Sequence, residues 1–391
     1  MVEEAVELLF SGASHGIGRE DIERKLKEGK TLTVKLGVDP TRPDLTLGHM
    51  VVFRKLRQFQ DLGHRAIFLI GDYTTTIGDP SGRSQTRPLL SAEQIRANGA
   101  TYMEQAFKIL DEKRTTVRHN GEWFGSMSMG DTLLLAREMT VAQLMEREDF
   151  SKRYGSANPI AVVEFLYPLL QGYDSVALGA DVELGGSDQL FNMLVGREMQ
   201  KNRGTVGQAV IAMPLLVGLD GVRKMSKSYD NYVAFNDCAR DMFGKLMSIP
   251  DSAMGDYYRL LLARGDWSME ASAPHPMEAK KQLAAEIVSI FHGPAAACGE
   301  RENFENVFSE REAPAEMEEV DLAKFGSGPV DPIELLFSIG KFQSKNEIRR
   351  LIAQGAVRID EEKLCPGDFI DGKSRHSSVL RVGRRQFFRL V

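Results

Sequence analysis

Between Leu32 and Gly71 the apolar pattern changes period twice, and nothing else in the chain narrows its fold so far. Leu32-Thr33-Val34-Lys35-Leu36-Gly37-Val38 alternates at period two and is rich in β-branched residues, so it reads as a strand. Leu47 to Leu62 reads as a helix stopped by Gly63, and Ala66 to Ile70 as a second strand ending at Gly71-Asp72. Strand, helix, strand is a crossover unit, which closes right-handedly within a parallel sheet. Open sheets of this kind hold their ligands beyond the C-terminal strand ends.

The pattern continues downstream. Ser91-Ala92-Glu93-Gln94 is a capping box opening a helix to about Leu110. Val182-Glu183-Leu184 is a short strand before Gly185-Gly186-Ser187-Asp188-Gln189, and a helix from Leu190 to Gln200 follows. Val210 to Leu216 is a further strand, leading through Gly218 and Gly221 to Lys224-Met225-Ser226-Lys227-Ser228. The loops 40–49, 71–83, 185–189 and 218–228 all leave C-terminal strand ends, so they can converge. From Asp237 to Phe325 the pattern is helical, with a long amphipathic stretch reaching Phe291. Gly326-Ser327-Gly328-Pro329 reads as a linker. Pro332 to Ser338 and Lys345 to Gln354 then have a helix-turn-helix look, with short strands such as Ala356 to Ile359 after them. The expected division is an α/β catalytic domain over 1–236, a helical domain over 237–325, a linker over 326–329 and a small α+β domain over 330–391.

Composition excludes several classes. A chain of 391 residues is expected to hold two or three domains, each with its own core. No apolar run approaches the ~18 residues of a membrane span. The opening Met1-Val2-Glu3-Glu4 lacks a secretory pattern, and Cys238, Cys298 and Cys365 are too few and too scattered for a disulfide framework or a zinc site. A reducing cytoplasm is the expected location. The net charge is -6, yet residues 330–391 hold 12 Lys and Arg against 8 Asp and Glu. A basic tail on an acidic body points weakly to a polyanionic partner.

The loops carry phosphate chemistry. Lys224 and Lys227, three apart on a Gly-flanked loop, place two mobile charges where a polyphosphate could lie. His49 sits in the first turn of a helix after Gly48, whose missing side chain lets a nucleotide approach the backbone. Arg83 and Arg87 flank the turn Asp79-Pro80-Ser81-Gly82 and add positive charge. Plainer readings exist for each: Asp188 and Gln189 can cap a helix, Tyr167 and Gln171 can share a packed helix face, and Asp174 can be a solvent charge. No Ser/His/Asp or Cys/His arrangement stands out, and no carboxylate pair demands acid–base work. The expected catalyst is electrostatic, stabilising charge that builds on a phosphoryl group.

Thr46-Leu47-Gly48-His49 and Lys224 to Ser228 resemble the two signatures of the class I aminoacyl-tRNA synthetases. Tyr167-Pro168-Leu169-Leu170-Gln171-Gly172-Tyr173-Asp174 and Gly185 to Gln189 are similar to the pocket segments of the bacterial tyrosyl-tRNA synthetase family. Ser344 to Ile352 resembles a small RNA-binding fold shared with a ribosomal protein of the small subunit. The resemblance runs from about residue 30 to the C-terminus and implies a Rossmann-like sheet. It also implies that Asp79, Tyr167 and Gln171 hold the substrate ammonium, Gln189 orients its carboxylate, and Asp174 accepts its phenol proton. Gly186 and Asp188 would meet the ribose, with Gly37, Asp39 and Gly48 also at the nucleotide. His49, Thr46, Thr41, Arg83, Arg87, Lys224 and Lys227 would surround the triphosphate. Lys345, Arg349, Arg350, Arg384 and Arg385 would contact RNA. ATP is implied as a substrate, with Mg2+ carried by it and no dedicated protein metal site evident; tRNA and a second copy of the chain are the implied partners.

Two positions depart from the pattern. Thr46 stands where the family usually has a histidine, and Lys35 where one branch puts a tyrosine that assists in reading the phenol. A lysine there either reaches the phenol from another angle or points away. Three functions therefore compete: an active ligase for tyrosine, a relative using tryptophan, and an RNA-binding protein that has lost activation.

Overall fold

The structure, a computed structural model, describes residues 2–81, 90–265, 275–309, 317–325, 328–342, 344–360, 362–370, 378–383 and 386–391. The chain folds into two compact units, 1–298 and 299–391.

The first unit is built on a six-stranded sheet. Its strands are β1 (His15–Ile17), β2 (Thr33–Val38), β3 (Arg65–Ile70), β4 (Thr115–His119), β5 (Val182–Gly186) and β6 (Ala209–Met213), in the order β1-β6-β5-β2-β3-β4. All neighbours are parallel except β1, which runs antiparallel to β6. β6 is buried at every position and β3 at all but its first, the mark of strands covered on both faces. The chain winds outward from β2 through β3 to β4, and outward in the other direction from β5 to β6. The strand order therefore reverses between β2 and β5, and that crevice is the topological switch point where open α/β sheets bind ligands.

The expected crossover is present: the signature helix Leu47–Asp61 joins β2 to β3, and Gly63 ends it at φ 85. The helix buries Leu47, Met50, Val51, Phe53, Leu56 and Phe59, the apolar stripe the sequence spacing predicts. Gly71, directly after β3, is required by a close approach, since a Cβ there would lie 2.1 Å from Asp39 Oδ1.

Within the first unit, the helices between Ala239 and His292 pack on the part that carries the sheet. Tyr257 Oη donates to the carbonyl of Val217 at 2.8 Å, and the rings of Phe235 and Phe291 lie 4.7 Å apart. The second unit has its own five-stranded sheet: β7 (Glu318–Val320), β8 (Val357–Ile359), β9 (Glu362–Lys363), β10 (Val379–Val382) and β11 (Gln386–Leu390), in the order β7-β11-β10-β8-β9. Helices Pro332–Ser338 and Lys345–Ala353 pack with it around Leu335, Leu336, Ile348, Leu380 and Phe388. β7 pairs in parallel with β11, so residues 318–320 join this sheet although they precede the Gly-Ser-Gly-Pro segment. No helix among the described residues is long and apolar enough to cross a membrane.

Candidate active site

A cavity of about 770 Å³ opens at the switch point. Its wall takes Gly37, Asp39, Thr41, Thr46, Gly48 and His49 from the loop after β2, and Gly71, Thr74, Asp79 and Ser81 from the loop after β3. Gly185, Gly186, Asp188 and Gln189 come from the end of β5, and Lys224 to Tyr229 from the loop after β6. The pocket helix Tyr167–Leu178 adds Tyr167, Gln171 and Asp174. The four loops singled out in the sequence thus meet in one place. Arg83 and Arg87 lie outside the described residues.

At one end of the cavity stands the N-terminus of the signature helix, capped by Thr46 in extended conformation. The Thr46 N–H donates to His49 Nδ1 at 3.1 Å, so that nitrogen carries the lone pair. The Thr46 hydroxyl, 2.9 Å from the same nitrogen, donates there too, and the ring proton is left on Nε2. Burial, and then the nearby charge of Lys227, push the His49 pKa down to about 3. His49 is therefore a neutral N–H donor at working pH. Thr46 spends its hydroxyl on orienting that ring.

The two-lysine loop is shaped by Asn231, which is buried. Its Oδ1 accepts from Ser226 N at 2.8 Å, and its Nδ2 donates to Asp220 and to the carbonyl of Lys224. Met225 anchors the loop in the core. Lys224 Nζ pairs with Asp188 at 2.8 Å, while Lys227 Nζ donates to the carbonyl of Asp44 and to Tyr102 Oη. Both ammonium groups thus face the cavity while resting on the protein's own acceptors.

The opposite end is buried. Asp174 is 3% exposed; its Oδ1 accepts from Trp123 Nε1 at 3.0 Å and its Oδ2 from Asn120 Nδ2 at 3.4 Å. Burial pushes its pKa up to about 7 against the opposing pull of Lys35. Lys35 is wholly buried, and its Nζ is held by Glu183 at 2.9 Å, Ser175 Oγ at 2.8 Å and the carbonyl of Gln171 at 2.9 Å. Of the two orientations the sequence leaves open, the lysine takes the one that ties β2 to the pocket helix. Glu183 also accepts from Gln171 Nε2, Ser175 and Gln208. Tyr167 Oη and Thr74 Oγ1 share Asp39, at 2.9 and 2.8 Å, and Gln189 Nε2 donates to Asp79 at 2.8 Å. Asp79, Tyr167, Gln171 and Gln189 all line the cavity and form its polar collar.

Sequence reasoning missed Asn120, Trp123 and Glu183. Asn120 and Trp123 follow β4, an edge strand whose polar, half-buried Thr-Thr-Val-Arg-His gives little apolar signal. Glu183 was visible as an acidic residue inside a β-rich run, which is a signal of a buried partner.

In the second unit Arg349 and Arg350 are exposed on the helix face opposite the buried Ile348 and Ile352. Lys345 is held by Glu334 at 2.5 Å, and Arg384 and Arg385 lie outside the described residues. No cluster of three His, Cys, Asp or Glu that could hold a metal ion occurs among the described residues.

Comparison with known proteins agrees with this geometry. The family model for tRNA synthetases class I (W and Y) matches residues 27–309. The chain is 48% identical over 398 aligned positions to the tyrosine–tRNA ligase of Thermotoga maritima, covering 99% of this chain and 97% of that one. It is 47% identical to the tyrosine–tRNA ligase of Aquifex aeolicus, covering 100% of this chain and 99% of the relative. Among solved structures, a tyrosyl-tRNA synthetase of Archaeoglobus fulgidus complexed with L-tyrosine superposes with a TM-score of 0.62 at 22% identity, over 77% of this chain and all of that one. A C-terminally truncated mitochondrial tyrosyl-tRNA synthetase of Aspergillus nidulans gives 0.65 at 23%, over 78% of this chain and 94% of that one. These last two likenesses speak for the fold. By its motifs, its sheet and its full-length relatives, the chain belongs to the class I tRNA synthetases, in the family of the bacterial tyrosine–tRNA ligases.

Proposed function

We propose that the chain activates L-tyrosine with ATP, forming tyrosyl-adenylate and pyrophosphate, and then transfers tyrosine to the 3′ end of tRNA(Tyr). The observation that carries this reading is Asp174: a buried acceptor, held by Trp123 and Asn120, in the same cavity as the two lysines and the helix N-terminus. A carboxylate so placed accepts the phenol proton of a tyrosine whose ammonium meets Asp79, Tyr167 and Gln171. Gln189 orients the substrate carboxylate toward the α-phosphorus. The carboxylate oxygen attacks that phosphorus, and the bond to the bridging oxygen of pyrophosphate breaks.

ATP enters with its magnesium as a substrate. Gly186 and Asp188 receive the ribose, while Gly37, Asp39 and Gly48 let the nucleotide close on the backbone. His49 donates Nε2–H to a phosphate oxygen. Thr41, Lys224, Lys227, Arg83 and Arg87 complete the cradle, and charge building on the leaving pyrophosphate draws the two lysines off their resting acceptors. The catalytic part spans 1–236 and the helical part follows from 237, while residues 318–320 go with the sheet of the second unit, which binds tRNA through Lys345, Arg349, Arg350, Arg384 and Arg385. The chain works in the cytoplasm, where its three exposed cysteines stay reduced.

A homodimer is part of the proposal. Met129, Leu133, Leu134, Val141 and Val162 are each more than half exposed and lie within one stretch of the first unit. Large apolar side chains left exposed so near one another in the chain fit a subunit contact.

Pyrophosphate exchange with tyrosine, tryptophan and phenylalanine tests the reaction: exchange only with tyrosine is expected, and exchange with tryptophan alone or with none of the three would overturn it.

A further inference from the structure

Behind the polar collar lies a buried chain of hydrogen bonds whose direction is set at both ends. Arg147 is 7% exposed and stacks 4.4 Å over the ring of Phe150. Its Nε and Nη2 are held by Asp149, which leaves Nη1 to donate to Asn192 Oδ1 at 3.2 Å. A guanidinium can only donate, so the Asn192 oxygen must face it and the Asn192 amide nitrogen must face the other way. That nitrogen donates to Gln171 Oε1 at 2.9 Å and to Gln189 Oε1 at 3.3 Å. From the far side, Glu183 and Asp79 act as carboxylate acceptors, taking Gln171 Nε2 at 3.2 Å and Gln189 Nε2 at 2.8 Å. All three amides therefore have one orientation that satisfies every partner. Neither Arg147 nor Asn192 lines the cavity.

We propose that Arg147 and Asn192 are positioning residues for tyrosine, locking the side-chain amides of Gln171 and Gln189 in the orientation the substrate needs. The proposal rests on the reading that those two glutamines grip the amino acid. An amide free to turn over presents N–H where an ammonium needs an acceptor, or oxygen where a carboxylate needs a donor. Each wrong orientation replaces a hydrogen bond to a charged group with a repulsion. At the phosphate end Lys224, Lys227 and His49 take other partners, Asp188, Asp44, Tyr102 and Thr46, so ATP should not sense the loss of this chain.

Asn192→Asp is the discriminating variant. An aspartate accepts from Arg147 at least as well as asparagine does, yet it has no hydrogen to give either glutamine. In pyrophosphate exchange the KM for tyrosine should rise about 10–100-fold, the scale of one or two hydrogen bonds to charged groups. The KM for ATP should stay within about twofold of the parent, and the melting temperature should be retained. Arg147→Met, which frees Asn192 to turn, should raise the tyrosine KM several-fold in the same selective way, and Arg147→Lys should recover part of it. This second variant decides the matter if Asn192→Asp does not fold. An unchanged tyrosine KM in whichever variants fold would overturn the proposal. A joint fall in melting temperature with both KM values raised would do the same, since it marks a structural role. Gln171→Ala and Gln189→Ala form the separate arm. If they leave the tyrosine KM unchanged, the pocket reading itself fails and the inference with it; if they raise it while Asn192→Asp does not, only the inference fails.

Discussion

The two ends of the cavity solve opposite problems. At the end proposed for the amino acid Lys35, Asn120, Asp174, Ser175 and Glu183 are all at most 3% exposed, and they are bonded in two sets, Lys35 with Ser175 and Glu183 across β2, β5 and the pocket helix, and Asp174 with Asn120 after β4. At the phosphate end Lys224 and Lys227 sit on a turn and rest on Asp188, Asp44 and Tyr102. A site that must tell one hydroxyl from its absence needs acceptors that cannot move. A site that follows a leaving group needs charges that can. The difference is one of attachment, to sheet and helix in the first case and to a loop in the second.

Variants at the two ends should therefore fail in different ways. The largest effect is expected from Lys35→Met, which leaves Glu183 buried without its counter-charge. Breaking a buried pair from one side costs about 3–5 kcal/mol, so thermal or urea unfolding should show a loss of that size. A variant as stable as the parent would show that the buried end is not held by this pair. Lys227→Ala should instead leave stability alone and slow adenylate formation by roughly 10²–10³, the scale of one positioned transition-state donor. Its affinity for tyrosine should barely change; a large loss of tyrosine binding with normal turnover would place Lys227 at the wrong end.

A smaller effect comes from pH. Burial raises the Asp174 pKa to about 7. The phenol needs the ionised form, so tyrosine affinity should fall about tenfold between pH 8 and pH 6, as for a single group with that pKa. The same shift bears on stability. A carboxyl whose pKa is raised by folding adds stability that is full below its unfolded pKa, near 4, and is lost as the pH rises through about 7. Asp174→Asn should flatten that dependence. Tyrosine affinity independent of pH over this range would contradict the assignment.

The smallest expected effect is none. A chain ending at Ser309 keeps both ends of the cavity, so pyrophosphate exchange should stay within about twofold of the parent while tRNA charging collapses. For the full chain, charging should also weaken steeply with added salt, because phosphate contacts release counterions.

How much of this was legible before folding depended on how strongly each element is buried. β3 and β6 are apolar nearly throughout and β2 alternates at period two, so all three announce themselves, as do the signature helix and its stop at Gly63. β1 and β4 do not: one has three residues and is largely exposed, the other is a half-buried polar edge. The same limit hides where the chain can be cut. The Gly-Ser-Gly-Pro segment looks like a place to cut, but β7 before it pairs with β11, and Val320 and Leu322 are buried in the second unit's core. A cut after Gly328 would strand that strand; one after Ser309 avoids it. In the site, the motif residues His49, Asp174, Asp188, Lys224 and Lys227 were readable because short words carry them. Lys35 and Thr46 were readable as departures, yet only folding shows that one is spent on Glu183 and the other on His49. Asn192 gave no signal, since an asparagine three residues after Gln189 matters only through what lies on either side of it.

On the proposed function, a fixed acceptor at the buried end chooses the amino acid while the two loop lysines at the other end drive the chemistry. Pyrophosphate exchange by Asp174→Ala, with tyrosine and phenylalanine compared at equal concentrations, tests it most directly. The parent should reject phenylalanine because Asp174 is left unpaired when the hydroxyl is missing. In the variant the preference for tyrosine in kcat/KM should collapse, with exchange at saturating amino acid still supported by Lys224 and Lys227. A variant that kept the parent's preference for tyrosine would contradict the account.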